Sequence, residues 1–519
     1  MHRLGLKLWN APQWAIALGS GLLMACAPEP LNLWGLAWIA LIPFWVLVVS
    51  TPVQNRKCTL LYATLWGMGY HGIAISWITG LHPLTWLGMS WITSVIVTAF
   101  CWVFITLWGT ATTVLWAWGM GRISRLQGIT AWVRVLAGTA LWCSLEWLLT
   151  LTPLNWTSLS YTQSPGNLWA VHLGQLSGPL TVTAAIVACN GLLAEAWMQW
   201  RNRADRLRPL LLSALVLVIS VHGLGAWLAS RPLQDVDAAK LTIGMIQGNV
   251  PTRIKLSAEG GRRAIASYNR GYLELANQQV DAVLTPEGAI PFLWDVYRET
   301  SSSITRAIAT ERIPAWLGTF VSQGTTYTQS LLSLDQQGVI VGRYDKIKLV
   351  PLGEYIPLRS ILGGLIDRLS PIEAVMIPGS EHQQFETPFG RAIGSICYES
   401  AYPNYFRAQA AQGGQFILTA SNLDPYSEVL MMQHQAHDIM RAIETDRWVA
   451  RATNTGYSGF VDPHGRVVWR SHPLTYETHA ETIYRRQTQT LYVRWGNWLT
   501  PVLILGAIGM IGLAIVRPA

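Results

Sequence analysis

About eight stretches of this chain are apolar enough and long enough to reach across a lipid bilayer, and no other feature limits its fold so strongly. A spanning helix needs about 17–25 such residues. Candidates run over residues 12–27, 32–50, 59–80, 90–118, 135–151, 172–198, 209–229 and 497–516. The fourth is over-long, which a tilt or an extension past the bilayer accommodates. Ala27-Pro28-Glu29-Pro30 breaks the chain between the first two and predicts a hairpin there.

Composition agrees. Of 519 residues, 51% are hydrophobic and 13% charged, and 27 are Trp. A soluble globular chain carries roughly 25% charged residues. The balance excludes an ordinary cytosolic enzyme, a disordered chain and a small disulfide scaffold. The formal charge of +8 suggests nucleic acid until the charges are located. Eleven basic side chains precede Arg231 and Arg517 follows the last stretch, against Glu29, Glu146, Glu195 and Asp205. From Arg231 to Val516 there are 25 basic and 25 acidic residues. A neutral segment makes no electrostatic footprint for DNA or RNA, so no nucleic-acid partner is expected.

The loops alternate in charge. Arg3 and Lys7, then Arg56 and Lys57, then Arg122, Arg125 and Arg134, then Arg201, Arg203, Arg206 and Arg208 mark one side. The loops around 28–31, 81–89 and 152–171 contain no Lys or Arg. The positive-inside rule then puts the N-terminus in the cytoplasm and brings the chain out near Arg231. Three parts are expected: a membrane domain of about seven helices over 1–230, an extracytoplasmic domain over 231–495, and a last span with a short cytoplasmic tail over 496–519. Glu146, within a span, is costly in lipid and a candidate for function, although Trp142 and Trp147 beside it fit an interfacial position equally well.

In the outer segment, β-rich runs alternate with helical ones, which points to an α/β layered domain. Strands are expected over 241–247, 282–285, 314–318, 392–396, 416–420 and 449–453, and helices over 262–280, 301–310 and about 429–446. Residues 328–334 and 338–344 should pair across Asp335-Gln-Gln337. Five of the six cysteines lie in or beside spans, and only Cys397 lies in the outer segment, where it has no partner for a disulfide.

Three strand ends carry unusual residues: Glu287 after Leu284-Thr-Pro286, Lys346 after Gly342-Arg-Tyr-Asp345, and Cys397 after Ile393-Gly-Ser-Ile396. Strand ends of α/β folds are where side chains converge on a ligand. Each residue alone is ordinary, a solvated Glu or Lys and a core Cys. Together they suit covalent acyl chemistry, in which a thiolate attacks a carbonyl, a carboxylate takes its proton and a cation stabilises the oxyanion. The backbone N–H of Tyr398 is a natural second oxyanion donor.

The ordered trio Glu287, Lys346 and Cys397 resembles the Glu-Lys-Cys triad of the nitrilase (carbon–nitrogen hydrolase) superfamily. The run Tyr344-Asp-Lys-Ile-Lys-Leu-Val-Pro-Leu-Gly-Glu354-Tyr-Ile-Pro357, with Ile396-Cys-Tyr-Glu399 and the surrounding spans, resembles the apolipoprotein N-acyltransferase family. Gln247-Gly-Asn249 and Ala452-Thr-Asn-Thr-Gly456 match it too. The resemblance implies a multi-pass α-helical membrane domain with an αββα nitrilase-like sandwich on the periplasmic side of a bacterial inner membrane. It implies a ping-pong acyl transfer from a phospholipid, through a Cys397 thioester, to the α-amine of a diacylglyceryl-cysteine on an apolipoprotein. Glu287 would act as base and acid, and Lys346 would bind the oxyanion. Glu354 would support Lys346, and Tyr398 and Glu399 would shape the site. No cofactor or metal is implied, and the expected form is a monomer.

Two runs depart from the family pattern: Asn422-Leu-Asp424-Pro-Tyr426 replaces an Asn-Asp-Ala-Trp-Phe-Gly run, and Ile254-Lys-Leu256 stands where a Trp is frequent. Leu349 to Ile377, with Leu358, Ile361, Leu362 and Leu365, reads equally well as an arm over the site or as core. His434 and His437 have the spacing of a metal pair but no third ligand in pattern, which favours a polar helix face. A transporter would show several ionisable residues within spans or an inverted repeat, and neither is evident.

Overall fold

Each of the eight apolar stretches contains a helix: Gln13–Ala25, Ile42–Ser50, Arg56–Ala74, Trp91–Ile123, Ala131–Thr150, Pro179–Arg201, Leu207–Ala229 and Leu499–Val516. The computed structural model describes residues 11–201, 207–255, 257–300, 302–351, 353–355, 375–424 and 426–516. Leu358, Ile361, Leu362 and Leu365 lie outside the described residues.

Four of these helices are long and apolar enough to cross a membrane: Trp91–Ile123, Pro179–Arg201, Leu207–Ala229 and Leu499–Val516. The first two stretches form shorter helices than their hydrophobic lengths predict. Gln13–Ala25 has 13 residues, about 20 Å at 1.5 Å per residue. The second stretch is divided into a 3₁₀ turn, Trp34–Trp38, and the helix Ile42–Ser50, which has a Pro in its first turn.

Three of the four long helices turn most of their apolar surface outward. Only 22%, 22% and 11% of the best windows of Trp91–Ile123, Leu207–Ala229 and Leu499–Val516 are buried by protein, against 83% for Pro179–Arg201. Ile96, Phe100, Leu212, Val216, Leu505 and Ile508 are among the exposed side chains. Such continuous apolar faces suit lipid rather than water.

The rest of the chain folds around two mixed sheets. Strands β1 (Lys240–Gln247), β2 (Ala282–Leu284), β3 (Ala315–Gln323), β4 (Thr326–Leu334), β5 (Ile340–Asp345), β6 (Val375–Met376) and β12 (Glu477–Tyr484) form one, in the order β12-β1-β2-β3-β4-β5 with β6 beside β4. Strands β7 (Ile393–Ile396), β8 (Ile417–Ser421), β9 (Val449–Thr453), β10 (Gly459–Val461) and β11 (Val467–Arg470) form the other, in the order β11-β10-β9-β8-β7.

Successive strand side chains point to opposite faces. Leu241, Ile243, Met245, Leu284 and Tyr344 of the first sheet therefore share one core with Ile396, Leu418, Ala420, Ala450 and Phe460 of the second. Ile246, Val283 and Leu317 point the other way, against Tyr268, Tyr272 and Leu275 of the helix Ala258–Ala276. Ile393, Ile417 and Val449 likewise meet Ile439, Met440 and Ile443 of the helix Glu428–Thr445. Helices thus cover both outer faces. The pairing of β4 with β5 across 335–339 is as the sequence predicts. Strand β12 was not predicted. Glu477-Thr-His-Ala-Glu-Thr is polar, as suits an edge strand covered on one side, yet it pairs with β1 along eight residues.

The two buried acidic side chains of the helical part are paired or hydrogen-bonded. Arg134 donates to Glu195 from Nε at 2.7 Å and from Nη2 at 2.5 Å. Glu146 is buried and accepts four bonds, from Trp142 Nε1 at 2.9 Å, Ser158 Oγ at 2.6 Å, Leu159 N at 2.9 Å and Thr183 Oγ1 at 2.8 Å. It ties the helix Ala131–Thr150 to the following loop and to Pro179–Arg201. Replacing it by Ala strands the buried Trp142 Nε1 and Leu159 N donors and leaves the Ser158 and Thr183 hydroxyls to each other and to Ser160, so Glu146→Ala should destabilise the protein by about 3 kcal/mol and Glu146→Gln by less. Thermal unfolding in detergent checks this, and an Ala variant as stable as the parent contradicts it.

Candidate active site

The three strand ends singled out in the sequence converge. Lys346 follows β5, and its peptide N–H donates to Gln329 O on β4 at 2.8 Å, which fixes where the side chain leaves the sheet. Its ammonium is fully buried and donates to Glu287 Oε1 at 2.9 Å and to Glu354 Oε1. Burial opposes that charge, but the Glu287 and Glu354 carboxylates outweigh it and hold the ammonium well above the ordinary lysine range. Glu354 is itself raised, by burial first, with Lys346 pulling it down and Glu287 pushing it up. Its other oxygen accepts from Val350 N at 2.8 Å, closing the turn that carries it.

Glu287 lies beyond β2 on a turn in which Ala289 N donates to Pro286 O at 3.2 Å and Gly288 has φ +57°. The left-handed conformation there suits glycine. The second Glu287 oxygen accepts from the Asn422 peptide N–H at 2.7 Å. The Glu287 carbonyl accepts from Lys255 Nζ at 3.0 Å.

Cys397 follows β7 with φ +53°, a left-handed conformation costly for a side chain with a Cβ. It opens the short turn Cys397–Ala401 and is 8% exposed. Burial, then the Glu287 carboxylate, push its thiol far above the ordinary cysteine range, while Lys346 pulls the other way. The resting group is therefore a thiol, and any attack by it would need a base to take its proton.

Glu399 and Tyr398 are placed differently. The Glu399 carboxylate faces the interior, where Oε1 accepts from Ile347 N and from Lys348 N at 3.1 Å. Its Oε2 accepts from Ile396 N at 2.7 Å and Tyr344 Oη at 2.9 Å. It thereby fastens the run after Lys346 to the turn holding Cys397. Burial lifts it to about 7 against those four donors. Tyr398 points toward the helical part: its hydroxyl donates to Pro153 O and accepts from Asn155 N, each at 3.1 Å, and its ring stacks on Trp156.

The motif matches join the same edge. Asn454 accepts from Val250 N at 3.0 Å and donates to Asn422 Oδ1 at 3.0 Å. Gln247 Oε1 accepts from Ser458 Oγ at 2.7 Å and Ser471 Oγ at 2.8 Å. Both departures from the family pattern therefore touch Glu287, through Asn422 N–H and Lys255. Sequence reading missed these contacts because a main-chain donor and a lysine ending a four-residue helix carry no spacing signal.

His434 serves a different partner. Its Nδ1 accepts from Arg451 Nη2 at 3.0 Å, and Arg451 also bonds Asp438, Ser400 and Ser421. Burial, then Arg451, keep this imidazole neutral. Among the described residues no group of His, Cys, Asp and Glu could hold a metal ion.

Comparison with known proteins follows the same division. Residues 20–192 match the apolipoprotein N-acyltransferase N-terminal domain, and residues 242–491 match the carbon-nitrogen hydrolase model. The chain is 53% identical to the apolipoprotein N-acyltransferase of Nostoc sp., over 93% of this chain and 95% of that one. It is 42% identical to the Synechocystis sp. protein of the same name, over 93% and 97%, and 41% identical to that of Thermosynechococcus vestitus, over 97% and 96%. With both matches in order and identity sustained from end to end, the chain belongs to the apolipoprotein N-acyltransferase family.

Proposed function

We propose that this enzyme moves a fatty acyl chain from a membrane phospholipid to the N-terminal α-amine of a diacylglyceryl-cysteine on an apolipoprotein, with Cys397 carrying the chain as a thioester. The observation that carries the reading is the buried Lys346 ammonium shared by Glu287 and Glu354 beside a thiol on left-handed backbone. Glu287 takes the thiol proton as sulfur attacks the ester carbonyl. Lys346 and the Tyr398 N–H face the oxyanion that forms. As the ester C–O bond breaks, protonated Glu287 gives its proton to the departing glycerol oxygen, and lysophospholipid leaves. The α-amine then attacks the thioester, its proton passes to Glu287, and the amide forms as the thiol is restored. Glu354 keeps Lys346 charged and in place, Glu399 sets its distance from Cys397, and Tyr398 shapes the acceptor side.

The membrane reading belongs to the same proposal. About eight spans, an N-terminus in the cytoplasm and division near residues 230 and 495 would seat the catalytic domain at the periplasmic face of an inner membrane. The charge alternation of the loops supports that orientation, and the outward apolar faces support lateral access for lipid. No bound cofactor is needed, and a monomer holds every group the reaction uses.

Intact-protein mass spectrometry after incubation with phospholipid and no acceptor should find a fatty-acyl adduct on the parent and none on Cys397→Ala. A diacylglyceryl peptide should discharge it. Discharge by water at the same rate would make the enzyme a hydrolase, and an active Cys397→Ala would remove the nucleophile assignment.

Glu399→Gln trades an acceptor for a donor against four N–H and O–H groups, which should loosen Lys346 from Cys397. Displacements of about 1 Å cost on the order of a hundredfold in rate. Adduct formation should fall by about that factor while Cys397→Ala forms none. An unchanged single-turnover rate would show that Glu399 has no part in positioning.

A further inference from the structure

Lys255 closes the four-residue helix Thr252–Lys255 and is 4% exposed. A buried lysine is expensive unless its charge meets partners. Its one side-chain hydrogen bond among the described residues runs from Nζ to the main-chain oxygen of Glu287. A Cβ built on Gly288 would stand 3.6 Å from the same nitrogen, so the ammonium sits against the peptide that orients the Glu287 side chain.

The helix is fixed from both sides. Asp424 Oδ2 accepts from Thr252 N at 2.7 Å, and Asn422 Nδ2 donates to Thr252 Oγ1 at 2.9 Å. Asn422 also gives its peptide N–H to Glu287. Lys255 thus holds the Glu287 main chain, while Asn422 N–H and Lys346 hold one carboxylate oxygen each.

We propose that Lys255 is a second cation of the active site, a positioning residue that pins the Glu287–Gly288 peptide and sets a positive charge behind the general base. The proposal rests on the reading of Glu287 as that base. The charged and titratable groups facing Glu287 are Lys346 and Glu354 after β5, Cys397 after β7, Tyr426 in the loop after β8, and Lys255, while Asp424 faces Lys255 from the turn after β8. Burial lowers Lys255 to about 8, with Glu287 and Asp424 working against the shift, so it is mostly charged at neutral pH. A neighbouring cation favours the ionised form of a carboxylate. It also favours release of the proton from the protonated acid, as the glycerol oxygen requires when it leaves.

The test measures the first half-reaction alone. Full-length protein is mixed with phosphatidylethanolamine vesicles without acceptor, and thioester formation is followed by intact mass from pH 5.5 to 9. Lys255→Met removes charge and donor, Lys255→Gln removes the charge alone, Lys255→Arg keeps it, and Glu287→Gln tests the base.

Met and Gln should move the acidic limb of the rate profile up by about one pH unit, so that on that limb each is about tenfold slower than the parent at the same pH, relative to its own plateau. Arg should restore the limb. An unmoved limb in Met and Gln, with Glu287→Gln inactive, overturns the proposal and leaves the base intact, as does a uniform loss of rate without a shift. Adduct formation by Glu287→Gln at the parental rate overturns both readings. If thermal unfolding shows that Lys255→Met does not fold, Gln against Arg decides: a shift in Gln alone supports the proposal, and no shift in either overturns it.

Discussion

One ammonium without access to water organises the catalytic half of this protein. Lys346 is fully buried, and an isolated charge there would cost several kcal/mol. Glu287 and Glu354 offset the penalty, because both carboxylates bond the one ammonium. Beside them burial keeps the Cys397 thiol protonated, and a proton passing from sulfur to a carboxylate oxygen would bring no charge into or out of the site. Such an exchange needs a rigid cluster. Each group is held by a second contact: Glu354 by Val350 N, Glu287 by Asn422 N, and the Lys346 and Cys397 segments by Glu399.

The turn that Cys397 opens is also bonded to the helical half. Asn155 Nδ2 and Tyr161 Oη both donate to Ala401 O, at 2.7 and 3.1 Å, and Tyr402 Oη donates to Thr152 O at 3.2 Å. Trp156 Nε1 donates to Gln433 Oε1 at 2.6 Å. The loop making these contacts is the one that Glu146 clamps at Ser158 and Leu159. A continuous set of hydrogen bonds therefore runs from a buried carboxylate in the helix Ala131–Thr150 to the turn that begins at Cys397. The two halves meet where the chemistry is, so the position of the thiol relative to the helices is set by specific bonds rather than by a linker.

Much of this was legible in the chain. Alternation and apolar runs located most of the strands that carry the site, and the order Glu287, Lys346, Cys397 named the groups that converge. Spacing works there because each residue follows a strand, and strand ends in a layered α/β domain meet. What the sequence did not reveal lies across the chain rather than along it. Glu399 looks like a flanking residue at the nucleophile, yet its carboxylate points inward to Ile347 and Tyr344. Lys255 looks solvated in a short polar run, and only the turn at Gly288 makes it a neighbour of Glu287. Strand β12 was hidden because an edge strand needs few apolar residues. The first two apolar stretches were long enough on paper, but the first forms a helix of only 13 residues and the second breaks into a 3₁₀ turn and a helix of 9 residues.

The outward apolar faces matter to the reaction proposed because of what lipid costs to move. Taking an acyl chain from a bilayer into water costs about 0.8 kcal/mol per CH₂, so a chain of about 15 methylenes would cost about 12 kcal/mol. An enzyme that extracted its donor would spend on transfer much of the binding free energy it needs at the carbonyl. If the helices Trp91–Ile123, Leu207–Ala229 and Leu499–Val516 lie in lipid, the chain can remain in hydrocarbon while only the ester rises to the sulfur. That places a demand on the junction. The ester would have to arrive at a fixed height, and the bonds from residues 152–161 to Tyr398, Ala401 and Tyr402 tie the turn after Cys397 to the loop that follows the helix Ala131–Thr150. In the reaction proposed, the buried polar contacts at this junction would do for the membrane geometry what Glu354 and Glu399 would do for Lys346 and Cys397: convert a fold into a defined distance between a thiol and the carbonyl it would attack.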